Sequence, residues 1–150
     1  FNTKLYTGNG STQSITGVGF QPDFTWIKDR TTGFDHPLFD AVRGATKMIN
    51  SNQTYAESTQ STGLTSFDSD GYTLGDSAAF NGSGDSHVGW SWKANGTGSA
   101  NTDGDINSTV SVNTTSGFSI VKWTSFPSTG TLTSLRLSTT LLLASIKIFL

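Results

Sequence analysis

HVGWSWKA, His87 to Ala94, alternates without a break: Val88, Trp90 and Trp92 fall on one side, Gly89, Ser91 and Lys93 on the other. That period of two is what a β-strand imposes on its side chains. Because Val88 shares a face with both indoles, this face is the one expected to pack into a core. Upstream, Phe24 to Lys28 behaves alike, with Phe24 and Trp26 opposite Thr25 and Ile27. The break at Gln21, Pro22 and Asp23 places proline at a strand start, where its missing N–H does no harm.

Turn chemistry supplies the rest of the pattern. Thr3 to Ile15 is expected to be a hairpin turning at Gly8, Asn9 and Gly10, since Asn-Gly provides the positive φ of a tight turn. Leu64 to Leu74 is a second, with Phe67 and Tyr72 flanking Asp68, Ser69, Asp70 and Gly71. Val110 and Val112 lead through Thr114, Thr115, Ser116 and Gly117 into Phe118 to Trp123, a third. In Leu38 to Asn50 the spacing of Leu38, Val42, Ala45 and Ile49 is helical, but Gly44 costs a helix about 1 kcal/mol relative to Ala. Strand or irregular structure is preferred there, and Ser51 to Thr62 reads as a polar loop. Short strands joined by glycine turns predict an all-β fold, an antiparallel β-sandwich or jelly roll, with a concanavalin-like lectin arrangement among the forms it allows.

Composition agrees. Only 13% of the 150 residues are charged, while aromatics reach 11% with 10 Phe and 4 Trp. Disordered chains lack that aromatic content, so a packed core is expected. A net charge of −2 offers no cationic footprint for a phosphate backbone, which excludes nucleic acid as the expected partner. Without cysteine there is neither a disulfide scaffold nor a thiolate metal site.

The opening of the chain returns later. Phe1 to Thr7, FNTKLYT, is echoed by Phe118 to Thr124, FSIVKWT, 117 positions on. The expected organisation is one β-sandwich module over residues 1–96 to 1–107, a linker-like loop at 94–107, and the start of a second, incomplete or diverged β-module over 108–150. The chain is expected to be a piece of something longer, since it starts at Phe with no signal segment before the core. Leu132 to Leu150 is Leu-rich but interrupted by Arg136, Lys147 and hydroxyls, so no membrane span is expected there. This tail is read either as a diverged repeat or as a segment out of its reading frame.

The candidate chemical sites are few. Asp68 and Asp70, with Gly71, have the oxygen spacing of a Ca²⁺ loop, but no closing Glu follows, and a hairpin turn is the simpler account. Asp103 and Asp105 around Gly104 invite the same idea and read better as a solvated linker. Asp35, His36, Asp40 and Arg43 form the densest ionisable cluster; a polar loop plus an Asp40–Arg43 pair explains it without catalysis. Asp23, Asp29, Asp35, Asp40 and Glu57 are the carboxylates from which a pair for glycoside hydrolysis could be drawn, with the separation decisive. Trp90 and Trp92, with Trp26 and Tyr72, are candidates for a sugar-stacking platform, set against a core role. The ligand-binding candidates are therefore Trp90, Trp92, Asp35 and His36. The Asn-x-Ser/Thr triplets at Asn9, Asn52, Asn81, Asn95, Asn107 and Asn113 follow from composition.

YTGNGSTQSITGVGFQPDFTWIKDR at Tyr6 to Arg30, DAVRGATK at Asp40 to Lys47, SFDSDGYTLG at Ser66 to Gly75 and VGWSWKANG at Val88 to Gly96 resemble an uncharacterised β-module. It is similar to modules found in tandem in predicted phage tail-fibre and other virion proteins, notably of marine phages. The likeness runs over Phe1 to Trp123. It implies a virion or extracellular location, a structural or receptor-binding role without catalytic residues, and other virion or fibre subunits as partners. A carbohydrate-binding module of a secreted adhesin or enzyme, taking a host surface glycan, is the alternative. No resident cofactor is expected.

Overall fold

The computed structural model describes residues 1–104 and 106–124. The expectations for the tail at 126–150, and the Asp105 half of the Asp103/Asp105 pair, lie outside the described residues.

Among the described residues, twelve strands and one short helix follow in order: β1 (Asn2–Thr7), β2 (Gln13–Ile15), β3 (Phe24–Asp29), β4 (Pro37–Asp40), β5 (Gly44–Asn50), β6 (Ser58–Thr59), β7 (Leu64–Asp68), β8 (Gly71–Leu74), α1 (Ala78–Asn81), β9 (Ser86–Trp92), β10 (Ser99–Asn101), β11 (Ser108–Asn113) and β12 (Phe118–Trp123). They make a six-stranded sheet ordered β1-β9-β3-β4-β5-β6 and two three-stranded sheets, β2-β8-β7 and β10-β11-β12. Every pairing is antiparallel. The fold is all-β and sandwich-like, as the alternation and the turns predict.

The large sheet is covered on both faces. Ile27 and Phe39 meet Ile15, Leu64, Tyr72 and Leu74 of the β2-β8-β7 sheet, with Phe80 of α1 closing the cluster. Burying each such side chain contributes about 1.5–3 kcal/mol. On the opposite face Phe24 and Leu38 pack against Ala94 and Phe118, joined by Trp26, Ile49, Trp92 and Ile120. Phe118 of β12 thereby seats the β10-β11-β12 sheet on the back of the large one. Gly98 and Gly117 adopt φ of 79° and 68°, which turn the chain through this hairpin region.

Most of that alternating stretch is strand β9, and both its faces are packed: Val88 is buried and Trp92 joins the second cluster, as expected of that face, and the opposite face is buried more deeply still. His87, Gly89 and Ser91 are buried beneath the β2-β8-β7 sheet, while Trp90 and Trp92 are only half-buried. The cause lies in the partner sheet. Tyr72 is a large residue with 0% exposure, and a Cβ on residue 89 would overlap its hydroxyl, so a small residue is required beneath it. Large indoles fit only on the other side.

The first expected hairpin does not form. Strand β1 pairs with β9, and β2 with β8, so Gly8 to Thr12 carries the chain from one sheet to the other. Gly10 does adopt the positive φ of 67° that Asn-Gly favours. The crossover is held instead by Asn81, fully buried, whose Oδ1 accepts from Asn9 N at 3.0 Å and whose Nδ2 donates to Asn9 Oδ1, Ser11 O and Gly75 O. A turn signal specifies local geometry; a buried amide from 70 residues away decides which strands it joins.

The other two hairpins form at the expected positions, β7–β8 and β11–β12. Leu38 to Asn50 is strand on both sides of a turn, with Asp40 Oδ1 accepting from Arg43 N at 2.8 Å and the Arg43 guanidinium paired to the same carboxylate. No helix among the described residues is long and apolar enough to cross a membrane.

Candidate functional site

A pocket opens beside β5 and α1, at the loop between β3 and β4. Its volume is about 150 Å³, and Phe34, Asp35, Met48, Asn50, Gln60, Ser77, Ala79 and Phe80 line it. These residues come from four separate segments. Each is positioned by local bonds.

Asp29 holds the approach to Phe34. Its Oδ1 accepts from Thr31 N at 2.7 Å and Thr32 N at 2.9 Å, and its other oxygen from the Thr32 hydroxyl. Burial works against the Asp29 carboxylate, but the Thr32 and Thr31 donors outweigh it and keep its pKa below the ordinary value. Lys28 Nζ adds longer contacts to Thr32 O and Phe34 O.

Asp35 is fixed from the other side. Its Oδ1 accepts from Gln53 Nε2 at 2.8 Å and Asn52 Nδ2 at 2.9 Å. Those two amides hold the carboxyl below the usual range, so it is ionised at neutral pH. Asn52 Oδ1 in turn takes the His36 amide at 2.8 Å, and His36 O takes Ser51 N at 3.0 Å. The two loops are one hydrogen-bonded unit.

What remains of the polar lining is unengaged. Among the described residues no donor reaches Asp35 Oδ2, Ser77 makes no side-chain cap to α1, and Asn50 Oδ1 is buried without a partner. Phe34 is 40% exposed at the pocket, and Tyr55, two residues beyond Gln53, is 71% exposed. The floor is apolar, from Met48, Ala79 and Phe80. Phe80 is fixed edge-on to Phe39, with centroids 5.7 Å apart at 85°.

The residues singled out from sequence are dispersed. Asp35 lines the pocket, and His36 beside it is half-buried and held through its backbone. Asp40 stands at the far end of β4, with Arg43, and Arg43 also reaches Glu57 at 3.5 Å. Asp23 is buried and accepts from Ala94 N at 2.7 Å. The carboxylates drawn on for hydrolysis are thus engaged separately.

Asp68 and Asp70 both serve the protein. Asp68 accepts from the Ser66 and Thr73 hydroxyls, while Asp70 accepts from Gly19 N at 2.6 Å and Gly17 N at 2.9 Å, pinning the loop before β3. Among the described residues no three His, Asp or Glu side chains gather as a cation would need.

Trp92 lies in the second core cluster, 4.8 Å from Phe1, 5.4 Å from Phe24 and 6.0 Å from Phe118 between ring centroids. Trp90 pairs with Trp26 at 5.3 Å, tilted by 51°, so these rings offer no common plane.

Phe34, Asn50, Gln60 and Ser77 were not marked by the sequence reading. Nothing local distinguishes them, since their meeting depends on β5 and α1 folding to one place.

The structure therefore defines an antiparallel, sandwich-like all-β protein with a small mixed-polarity pocket at a loop cluster. A family model described as a domain of unknown function (DUF7483) matches residues 1–146, and the chain belongs to that family. No curated protein and no solved structure matches it.

Proposed function

We propose that the chain is a non-enzymatic, receptor-binding module of a fibre-like surface protein, of the kind carried by phage virions. One observation supports it above others: Asp23, Asp29 and Asp40 are engaged inside the fold, whereas a loop-borne pocket keeps unpaired polar groups beside the partly exposed Phe34 ring. Binding sites concentrate on loops carried by a rigid scaffold. The resemblance of Phe1 to Trp123 to tandem virion modules adds the fibre setting, with neighbouring fibre or virion subunits as partners and a virion or extracellular location.

The test is retention of the fluorescently labelled chain on a panel of marine bacterial isolates, read by flow cytometry. Saturable retention on a subset of isolates is expected, with no release of reducing sugar from their surfaces. A chain that binds none of them is a spacer instead.

A further inference from the structure

The second carboxylate oxygen of Asp35 and the side chains of Asn50, Gln60 and Ser77 line one small pocket, and their chemistry restricts what belongs there. Asp35 Oδ2 accepts only, so it calls for a hydrogen-bond donor. Asn50, Gln60 and Ser77 offer both donors and acceptors. Phe34, Met48, Ala79 and Phe80 supply apolar surface between them. An anion would meet the Asp35 charge. A cation would find one carboxylate where several are needed. A purely apolar ligand would strip water from an ionised group and give no bond in return.

A ring bearing several hydroxyls and one hydrophobic C–H face satisfies all of these conditions. At about 150 Å³ the cavity equals roughly five waters of about 30 Å³ each, room for one ring and well under the size of a drug-like site. The partly exposed Phe34 ring stands at the same pocket and provides a π-face for the C–H side of the sugar.

We propose that Phe34, Asp35, Asn50, Gln60 and Ser77 form a saccharide subsite that takes a single pyranose ring, with ring hydroxyls donating to Asp35 Oδ2. This rests on the receptor-binding reading and specifies its site and ligand class. The site is separate from the tryptophan face considered from sequence.

The experiment is a titration of the ¹⁵N-labelled full chain with the methyl glycosides of glucose, galactose, mannose, N-acetylglucosamine, fucose and rhamnose. At least one should shift the amides of residues 34–35, 50, 60 and 77 saturably. Asp35→Asn, which keeps the shape and the Oδ1 contacts, should weaken that binding at least tenfold, because a hydrogen bond to a charged acceptor is lost. Ser77→Ala supplies a second variant that breaks no cap, with a smaller weakening expected. Shifts centred on Trp26 and Trp90 would move the site to the other face and overturn the proposal. No shift with any sugar, while the chain is still retained on cells, overturns the saccharide and leaves the receptor-binding reading standing. Loss of both removes the two together.

Discussion

The hydroxyl of Tyr72 lies against the backbone of Gly89, so close that a Cβ on residue 89 would overlap it. This contact fixes how the β2-β8-β7 sheet sits on the large one. Tyr72 is fully buried, and its Oη has no hydrogen-bond partner.

Gly89→Ala should therefore destabilise the protein by about 1–3 kcal/mol through overpacking. Tyr72→Phe removes an unpaired buried hydroxyl and should change stability by less than about 1 kcal/mol. The double variant should recover about 1 kcal/mol or more of the loss, since the deleted oxygen makes room for the methyl. Urea denaturation of the four proteins measures this coupling; strict additivity would mean the two residues do not oppose each other.

His87 gives the fold a pH dependence. It stacks on Tyr6 with centroids 5.0 Å apart at 16°, stands across from Asp29 on β3, and has no partner for either ring nitrogen. Burial pushes its pKa below 6.5; the Asp29 and Asp85 carboxylates oppose this, and Lys28 adds to it. Between that lowered value and 6.5 the unfolded chain takes up a proton that the folded chain refuses, so stability falls as pH drops through that window. The melting temperature should fall as pH drops below 6.5, and His87→Phe, which keeps a ring against Tyr6, should flatten that slope. Asp29 acts further down. Its pKa lies below 3.8, so its contribution is present above 3.8 and is lost as pH falls through the folded value.

Asn81→Ala should cost about 2–4 kcal/mol, because the Gly75 and Ser11 carbonyls and the Asn9 amide each lose a partner in or near the core. The expected signature is a lower urea midpoint with an unchanged slope. A variant as stable as the parent would mean that the β1–β2 crossover holds without this amide.

Phe118 tests the boundary expected at 94–107. Its ring packs 5.8 Å from Phe24 and 6.0 Å from Trp92. If the β10-β11-β12 sheet unfolds together with the large one, Phe118→Ala lowers the stability of the whole by about 3–5 kcal/mol. Tryptophan fluorescence and far-ultraviolet circular dichroism should then give coincident transitions. Two separated transitions, with only one moved by the substitution, would mark an independent module.

Much of the fold was legible in local pattern. Alternation in Phe24 to Lys28 and His87 to Ala94, and the turn residues before Gly71 and Gly117, report strands and hairpins because side-chain period and backbone φ are properties of a few adjacent residues. The Asp40–Arg43 pair was readable for the same reason, lying within one turn. That the opposite face of β9 is covered as well was not, since Val88, Trp90 and Trp92 form the more hydrophobic set; Gly89 lies there because Tyr72 of the β2-β8-β7 sheet needs the space. The pairing of β1 was likewise set from afar, by Asn81.

The candidate site divides in the same way. Sequence alone pointed to Asp35, as a charged residue in a polar loop, and to an all-β scaffold able to display loops. Only the tertiary structure brought Asn50, Gln60, Ser77 and Phe34 to it. A binding pocket is a coincidence in space of groups distant along the chain, and the packing of β5 and α1 that produces it leaves no periodic trace in the order of the residues.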